Sequence, residues 1–254
     1  MGTIDLVDSP TVWVAIGLLA FLAGVLRGFA GFGSSLLIVP ALGMVLGPTI
    51  AVTIATLLEC LGTMLLFFPA LQHAKTRVLI PLSCAASVAI PIGHIALTLM
   101  NPSLSNLLIS FAILCMSLWM INGSAIRFPR GLSGRIFAGS LSGFLTGFGS
   151  AGGPALMLYI LSGSETAEVK RANVITASGI ALIAAVASMY YFGLLERRAL
   201  TGGLLLAPIF FVGGIIGVQI FKAAPEKYYQ RVAVSALVVT SCIMFLANLL
   251  RFTA

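Results

Sequence analysis

Apolar residues fill most of the chain in long runs, and short polar loops separate these runs. A helix of about 20 apolar residues crosses a hydrocarbon core of roughly 30 Å. The pattern predicts an all-α polytopic membrane protein that forms one integral membrane domain. We expect helices at about 48–69, 78–100, 104–122, 172–192, 200–221 and 232–250, and two interrupted segments at 11–46 and 136–162.

The two interrupted segments share a motif. Gly31-Phe32-Gly33-Ser34 recurs 116 residues later as Gly147-Phe148-Gly149-Ser150. Because unpaired backbone groups in lipid cost several kcal/mol each, a helix break at membrane depth needs protein or a wet cavity around it. We interpret the recurrence as a duplication, with a first repeat at 1–126 and a second at 127–254. Each repeat is a broken-helix pair or hairpin followed by three transmembrane helices.

Composition supports the membrane assignment. Charged residues make up 8% of the chain, against roughly 25% in globular domains, and the mean hydropathy is +1.12. The 14 Lys and Arg outnumber the 7 Asp and Glu, but they lie in short loops. This excess indicates topology rather than nucleic-acid binding. The four cysteines lie in apolar runs without paired spacing, so no disulfide, metal site or cofactor is predicted.

The loop charges predict an orientation. If the loop at Lys75 is cytoplasmic and both interrupted segments return to the side that they enter from, ten Lys and Arg lie inside and three outside. The N-terminus then lies outside, and it lacks the basic start of a cleavable signal peptide. Each half makes an odd number of crossings, so the repeats are inverted, as in alternating-access secondary transporters. Whether the interrupted segments are hairpins or full spans stays open.

Glu59 is the acidic residue predicted at membrane depth. It lies about ten residues into its helix, which puts it about 15 Å deep. A carboxylate there should face a cavity, hold a proton or find a partner. We interpret it as a proton-coupling candidate or as a neutral acid that hydrogen bonds to backbone or threonine. It lies on a polar stripe with Thr49, Thr53, Thr56 and Thr63.

Arg27 adjoins the first break and offers a planar fork of donors to an oxyanion. Its alternative roles are a salt bridge to Glu59 or capping of the carbonyls of the broken helix. His94 is either a hydrogen-bonded packing residue or a proton relay.

The breaks themselves predict a site for a small anion. Glycines allow backbone N–H groups to approach a ligand, and the following half-helix begins with partial positive charge. Alternatively, the glycines allow close helix packing. The candidate substrate-binding residues are Arg27, Gly31, Phe32, Gly33, Ser34, Ser35, Thr146, Gly147, Gly149, Ser150 and Gly152, with Thr53, Thr56, Asn173 and Thr176 as supporting polar residues.

The paired motifs, the prolines that follow them (Pro40 and Pro154) and a chain near 250 residues with about eight hydrophobic segments resemble the TauE/SafE family of sulfite-exporter-like permeases. The resemblance extends over nearly the whole chain. It implies transport of sulfur-containing anions, such as sulfite or organosulfonates including sulfoacetate, across a bacterial or archaeal cytoplasmic membrane. Of the candidate residues, only the two glycine-rich motifs are carried over from the family.

The leading hypothesis is therefore a secondary transporter, and an exporter by resemblance, whose partners are a small anion and the lipid bilayer. An anion channel, which would share the anion site, is an alternative. An intramembrane enzyme or thiol-active protein is a third, although it would need a nucleophile with a base, a metal cluster or paired cysteines within the spans. The particular anion, the coupling ion and the oligomeric state are not predicted.

Overall fold

The computed structural model describes residues 10–74, 76–121, 131–161, 163, 165–223 and parts of 235–250. Within these ranges the chain forms helices and no strand. The helices with defined bounds are α1 Pro10–Ala30, α2 Ser34–Leu46, α3 Pro48–His73, α4 Thr76–Leu99, α5 Pro102–Ile121, α6 Leu132–Gly149, α7 Gly152–Leu161, α8 Ala167–Tyr191 and α9 Arg197–Ala223.

Four of these helices (α1, α4, α8 and α9) are long and apolar enough to cross a membrane. The two parts of α3, bent by 61°, together make a fifth candidate. The chain is thus a polytopic all-α membrane protein. The last predicted helix, 232–250, lies partly outside the described residues, and the positions described within it are helical.

The start of α8 differs from the prediction. The helix begins at Ala167 instead of 172, because the Thr166 hydroxyl accepts the Val169 N–H at 3.4 Å and caps the first turn. Arg171, which we expected in a loop, consequently lies on the helix.

Helices α1 and α9 pack in parallel through glycines. A Cβ at Gly24 would overlap the Phe210 carbonyl, and a Cβ at Gly28 would overlap the Gly214 carbonyl. Contacts therefore advance along both helices in the same direction. Such close backbone approach is the property of small-residue interfaces between membrane helices.

Helices α4 and α6 form a second parallel pair of the same kind. A Cβ at Gly139 would overlap the Leu82 carbonyl, and one at Gly143 would overlap the Ala86 carbonyl. In each pair, the broken helix of one half of the chain packs against a helix from the other half.

The first interrupted segment is a hairpin. Helix α3 runs parallel to α9, since Ile54 lies beside Gly202 and the Phe210 ring lies beside Gly62. Helix α1 has the same direction as α9. Helix α2 runs the opposite way, because its first residue, Ser34, contacts Glu59 in the middle of α3 while its end joins the start of α3. The chain therefore turns back at the break.

The second interrupted segment also turns back. Helix α8 runs parallel to α4, since His94 contacts Ser188 while Ile90 and Ala86 pack with Ala181 and Ala185. Helix α6 has the same direction as α4. The short α7 must therefore return toward the end of the bundle where α8 begins.

Candidate functional site

The first break is a sharp turn made by two glycines. Gly31 and Gly33 have φ angles of +80° and +93°. This left-handed region costs other residues about 1–2 kcal/mol. The turn leaves the first N–H groups of α2 pointing into the bundle, where they need an acceptor.

Glu59 supplies that acceptor. Its Oε1 accepts the Ser34 hydroxyl at 2.8 Å and the Ser35 backbone N–H at 3.2 Å. The partial positive charge at the start of α2 favours an anion at this position. Oε2 makes no hydrogen bond to the described part of the chain.

Arg27 completes the arrangement. Its Nη1 lies 3.6 Å from Glu59 Oε1, and its Nη2 donates to the Thr63 hydroxyl. The side chains of Arg27 and Glu59 are only 3% and 8% exposed, so both charges are withdrawn from solvent. Of the alternatives for Arg27, the structure contains the salt bridge to Glu59. The carboxylate thus fills the position that the sequence suggested for an external anion.

The second break lies against the same helix. Ser150 adopts a left-handed backbone with φ of 51° and ends α6. Its hydroxyl lies 3.1 Å from the hydroxyl of Thr56. Thr56 precedes Glu59 by three residues on α3, so the two side chains lie on the same side of that helix. The Phe32 side chain packs on Gly153, at the start of α7. The two breaks therefore lie against each other inside the bundle.

Other predicted residues of the second break serve its internal structure. The Thr146 hydroxyl donates to the Ser142 carbonyl at 2.8 Å, and the Ser142 hydroxyl donates to the Gly152 carbonyl at 2.9 Å. Gly147 lies against the backbone of α4, and Gly149 lies against Ile109. In the described structure these groups contact protein.

The supporting polar residues lie on the two helices next to the breaks. Thr53 donates to the Thr49 and Leu194 carbonyls, at 2.9 and 3.3 Å. Asn173 and Thr176 are buried on α8. Among the described residues, the Thr176 hydroxyl has no hydrogen-bond partner.

His94 is fully buried near the second break. Its Nδ1 lies 2.8 Å from the Ser188 hydroxyl. Its Nε2 has no partner in the described ranges.

Arg171 is a site residue that the sequence analysis missed. Its Nη2 donates to the Gly28 carbonyl at 2.8 Å, at the end of α1, and its guanidinium lies 4.1 Å from the centroid of the Phe221 ring. Capping of the broken helix, which we considered for Arg27, is therefore done by Arg171. Recognition of Thr166 as a helix cap in the sequence would have placed Arg171 on α8. It would not have predicted the contact of Arg171 with α1.

Helix breaks inside a bundle of apolar helices are typical of membrane transporters, in which irregular backbone at membrane depth surrounds a site. The family of sulfite exporters TauE/SafE matches residues 16–244, and the chain belongs to that family. No curated protein and no solved structure matches the chain.

Proposed function

We propose that the protein is a secondary transporter for small sulfur-containing anions, such as sulfite or organosulfonates, and that it is not an enzyme. One observation carries the proposal: Glu59 occupies a ready-made anion position formed by Arg27, Ser34 and the N–H of Ser35. The same donors suit a sulfur oxyanion, which also presents several acceptor oxygens.

Glu59 would couple the anion to a proton. While it is ionised, it holds the donors of Ser34, Ser35 and Arg27 Nη1 itself, so no second anion can occupy that position. Protonation at Oε2 removes the negative charge and releases Arg27 to the substrate. One proton therefore enters the site with each anion.

The helix directions support an alternating-access mechanism. Helices α3 and α8 are antiparallel, because Thr53 contacts Leu194 near the end of α8 while Ala70 packs with Ala172 near its start. Antiparallel equivalent helices are expected of inverted repeats, whose rocking exposes a shared site to each side in turn.

The membrane is the cytoplasmic membrane of a prokaryote, with the N-terminus outside. Family membership and the basic loops support this placement. Because the anion and the proton move together, the sum of their gradients sets the direction. The protein would export the anion when the outward gradient of the anion exceeds the opposing inward gradient of the proton.

Glu59→Gln in proteoliposomes tests the coupling. Glutamine keeps an acceptor oxygen and resembles the protonated acid, so we expect exchange of radiolabelled sulfite across the membrane to persist. Accumulation driven by a pH gradient should fall at least tenfold. Full gradient-driven accumulation by Glu59→Gln would contradict proton coupling through this residue.

Arg27→Gln is the companion variant. It should abolish both exchange and accumulation, because the anion loses its buried cation. Removing one partner of a buried pair costs about 3–5 kcal/mol, so the double variant Arg27→Gln with Glu59→Gln controls for folding. Counterflow by the wild type separates a carrier from an anion channel, which shows none.

A further inference from the structure

A cavity of about 320 Å³ lies between α1, α3 and α9. Its volume is at the lower end of the ~300–1,000 Å³ typical of small-molecule sites. Helix α9 contributes one face, with positions three or four residues apart along its length. The lining residues are Arg27, Gly28, Gly62, Leu66, Phe210, Phe211, Gly214, Ile215, Val218, Gln219 and Lys222.

Arg27 borders the cavity with a donor that the ion pair leaves unused. Nη1 faces Glu59 and Nη2 binds Thr63, whereas the buried Nε has no hydrogen-bond partner among the described residues. A guanidinium carries five N–H donors in a fixed plane, so one edge can engage a ligand while the other holds Glu59. An anion that binds at Nε would therefore leave the contact between Nη1 and Glu59 in place.

The other polar side chains of the cavity lie toward one end of α9. Gln219 and Lys222 are one turn apart and exposed, and Lys222 is the last basic residue of that helix. An ammonium at the mouth of a cavity raises the local concentration of anions. An anion would thus meet the positive charge of Lys222 at the mouth first and that of Arg27 deeper in the cavity.

The remaining walls are apolar. Leu66, Phe210, Phe211, Ile215 and Val218 offer only hydrocarbon. A bare inorganic oxyanion would leave this surface against water, whereas an aliphatic chain would cover it. The lining therefore suits an anion that has an apolar body.

We propose that this cavity binds a short aliphatic monosulfonate, with the sulfonate at the Nε edge of Arg27 and the alkyl chain against Phe210, Leu66 and Ile215. Lys222 and Gln219 attract the anion to the mouth. The inference rests on the proposed function, because it makes the cavity the position from which the substrate reaches the Glu59 site.

Titration calorimetry of the wild-type protein in nanodiscs of neutral phosphatidylcholine tests the proposal, with unbranched sulfonates from methanesulfonate to hexanesulfonate. Each added methylene should tighten binding about fourfold until the cavity is full. Ile215→Trp fills the cavity and should abolish this chain-length dependence. Ile216→Trp, on the neighbouring position outside the lining, should retain it.

A second matched pair tests the mouth of the cavity. Lys222→Gln should slow association of butanesulfonate at low salt at least threefold. Arg198→Gln, at the opposite end of α9, should leave the rate unchanged.

Affinity that is flat across the series, or equal behaviour of the two tryptophan variants, would overturn the proposal. So would displacement of butanesulfonate by phosphatidylglycerol in the nanodiscs, since the cavity would then hold a lipid headgroup. Sulfite exchange separates the two claims. If exchange depends on Arg27 but the affinity for sulfonates does not depend on chain length, only the cavity proposal is wrong. If the protein exchanges no sulfite, the proposed transport function is wrong.

Discussion

Arg171 joins three helices at a single point. It starts on α8, donates to the Gly28 carbonyl at the end of α1 and lies over the Phe221 ring of α9. The last carbonyls of a helix lack intrahelical partners, and inside a membrane they need a donor from elsewhere. A planar guanidinium serves the carbonyl and the ring together, which an ammonium does less well.

We expect Arg171→Gln to lower the free energy of unfolding by about 2 kcal/mol, the cost of a hydrogen bond to a charged group. Lys170→Gln removes the same charge from the neighbouring position and should change stability by less than about 0.5 kcal/mol. Thermal unfolding in one detergent, followed by circular dichroism, measures both. Equal effects would show that the charge alone matters and would contradict the capping role.

The pairing of Arg27 with Glu59 could be anticipated at this scale. The sequence put Glu59 at membrane depth and offered it as one possible partner of Arg27, since an ionisable group at that depth needs a partner. The role of Arg171 could not be anticipated, because it depends on how α8 packs against α1. Distances along the sequence say nothing about that contact.

At the scale of elements, glycine spacing determines how α1 and α9 meet. Gly24 and Gly28 face the backbone of α9 so closely that a methyl group would overlap a carbonyl. Gly214 differs, because a Cβ there would have the Gly24 carbonyl oxygen as its nearest atom, at 3.8 Å, an ordinary contact.

We therefore expect Gly28→Ala to destabilise the protein by about 2 kcal/mol through overpacking. Gly214→Ala, on the opposite side of the same interface, should be neutral or slightly stabilising, since alanine favours helix over glycine. Thermal unfolding of the two variants, measured without chemical denaturant, provides the comparison. A Gly28→Ala protein as stable as Gly214→Ala would mean that the interface is looser than described.

The sequence located both breaks because glycine and serine interrupt otherwise apolar runs there. It left the direction of α2 open, since a helix of 13 residues is compatible with a hairpin or with half of a span. The contact between Ser34 and Glu59 decides the direction. A local pattern cannot supply a contact between residues 25 positions apart.

At the scale of the whole molecule, α1 and α9 point the same way, so their first residues, Pro10 and Arg197, lie toward the same end of the bundle. The distribution of basic residues among the loops predicts that this end lies outside the cell. This topology is still a prediction, and it can be tested with single cysteines in a background that lacks Cys60, Cys84, Cys115 and Cys242.

A membrane-impermeant maleimide should label Arg198→Cys in intact cells. Lys222→Cys, at the other end of α9, should react only after the membrane is permeabilised. The reverse result would place the N-terminus in the cytoplasm. The cysteine-free background, if it transports sulfite at the wild-type rate, also excludes a thiol-based activity.

The packing of each broken helix against a helix from the other half of the chain has a consequence for biosynthesis. Glu59 follows Arg27 within the first quarter of the chain, so the buried ion pair can form soon after these helices enter the membrane. The glycine face of α1 must wait for α9. At a translation rate of about 5 to 20 residues per second, α9 emerges roughly ten to thirty seconds later. During that interval α1 presents its glycine face to lipid, and a ribosome that stalls before α9 leaves a product whose first helix has no surface to close against.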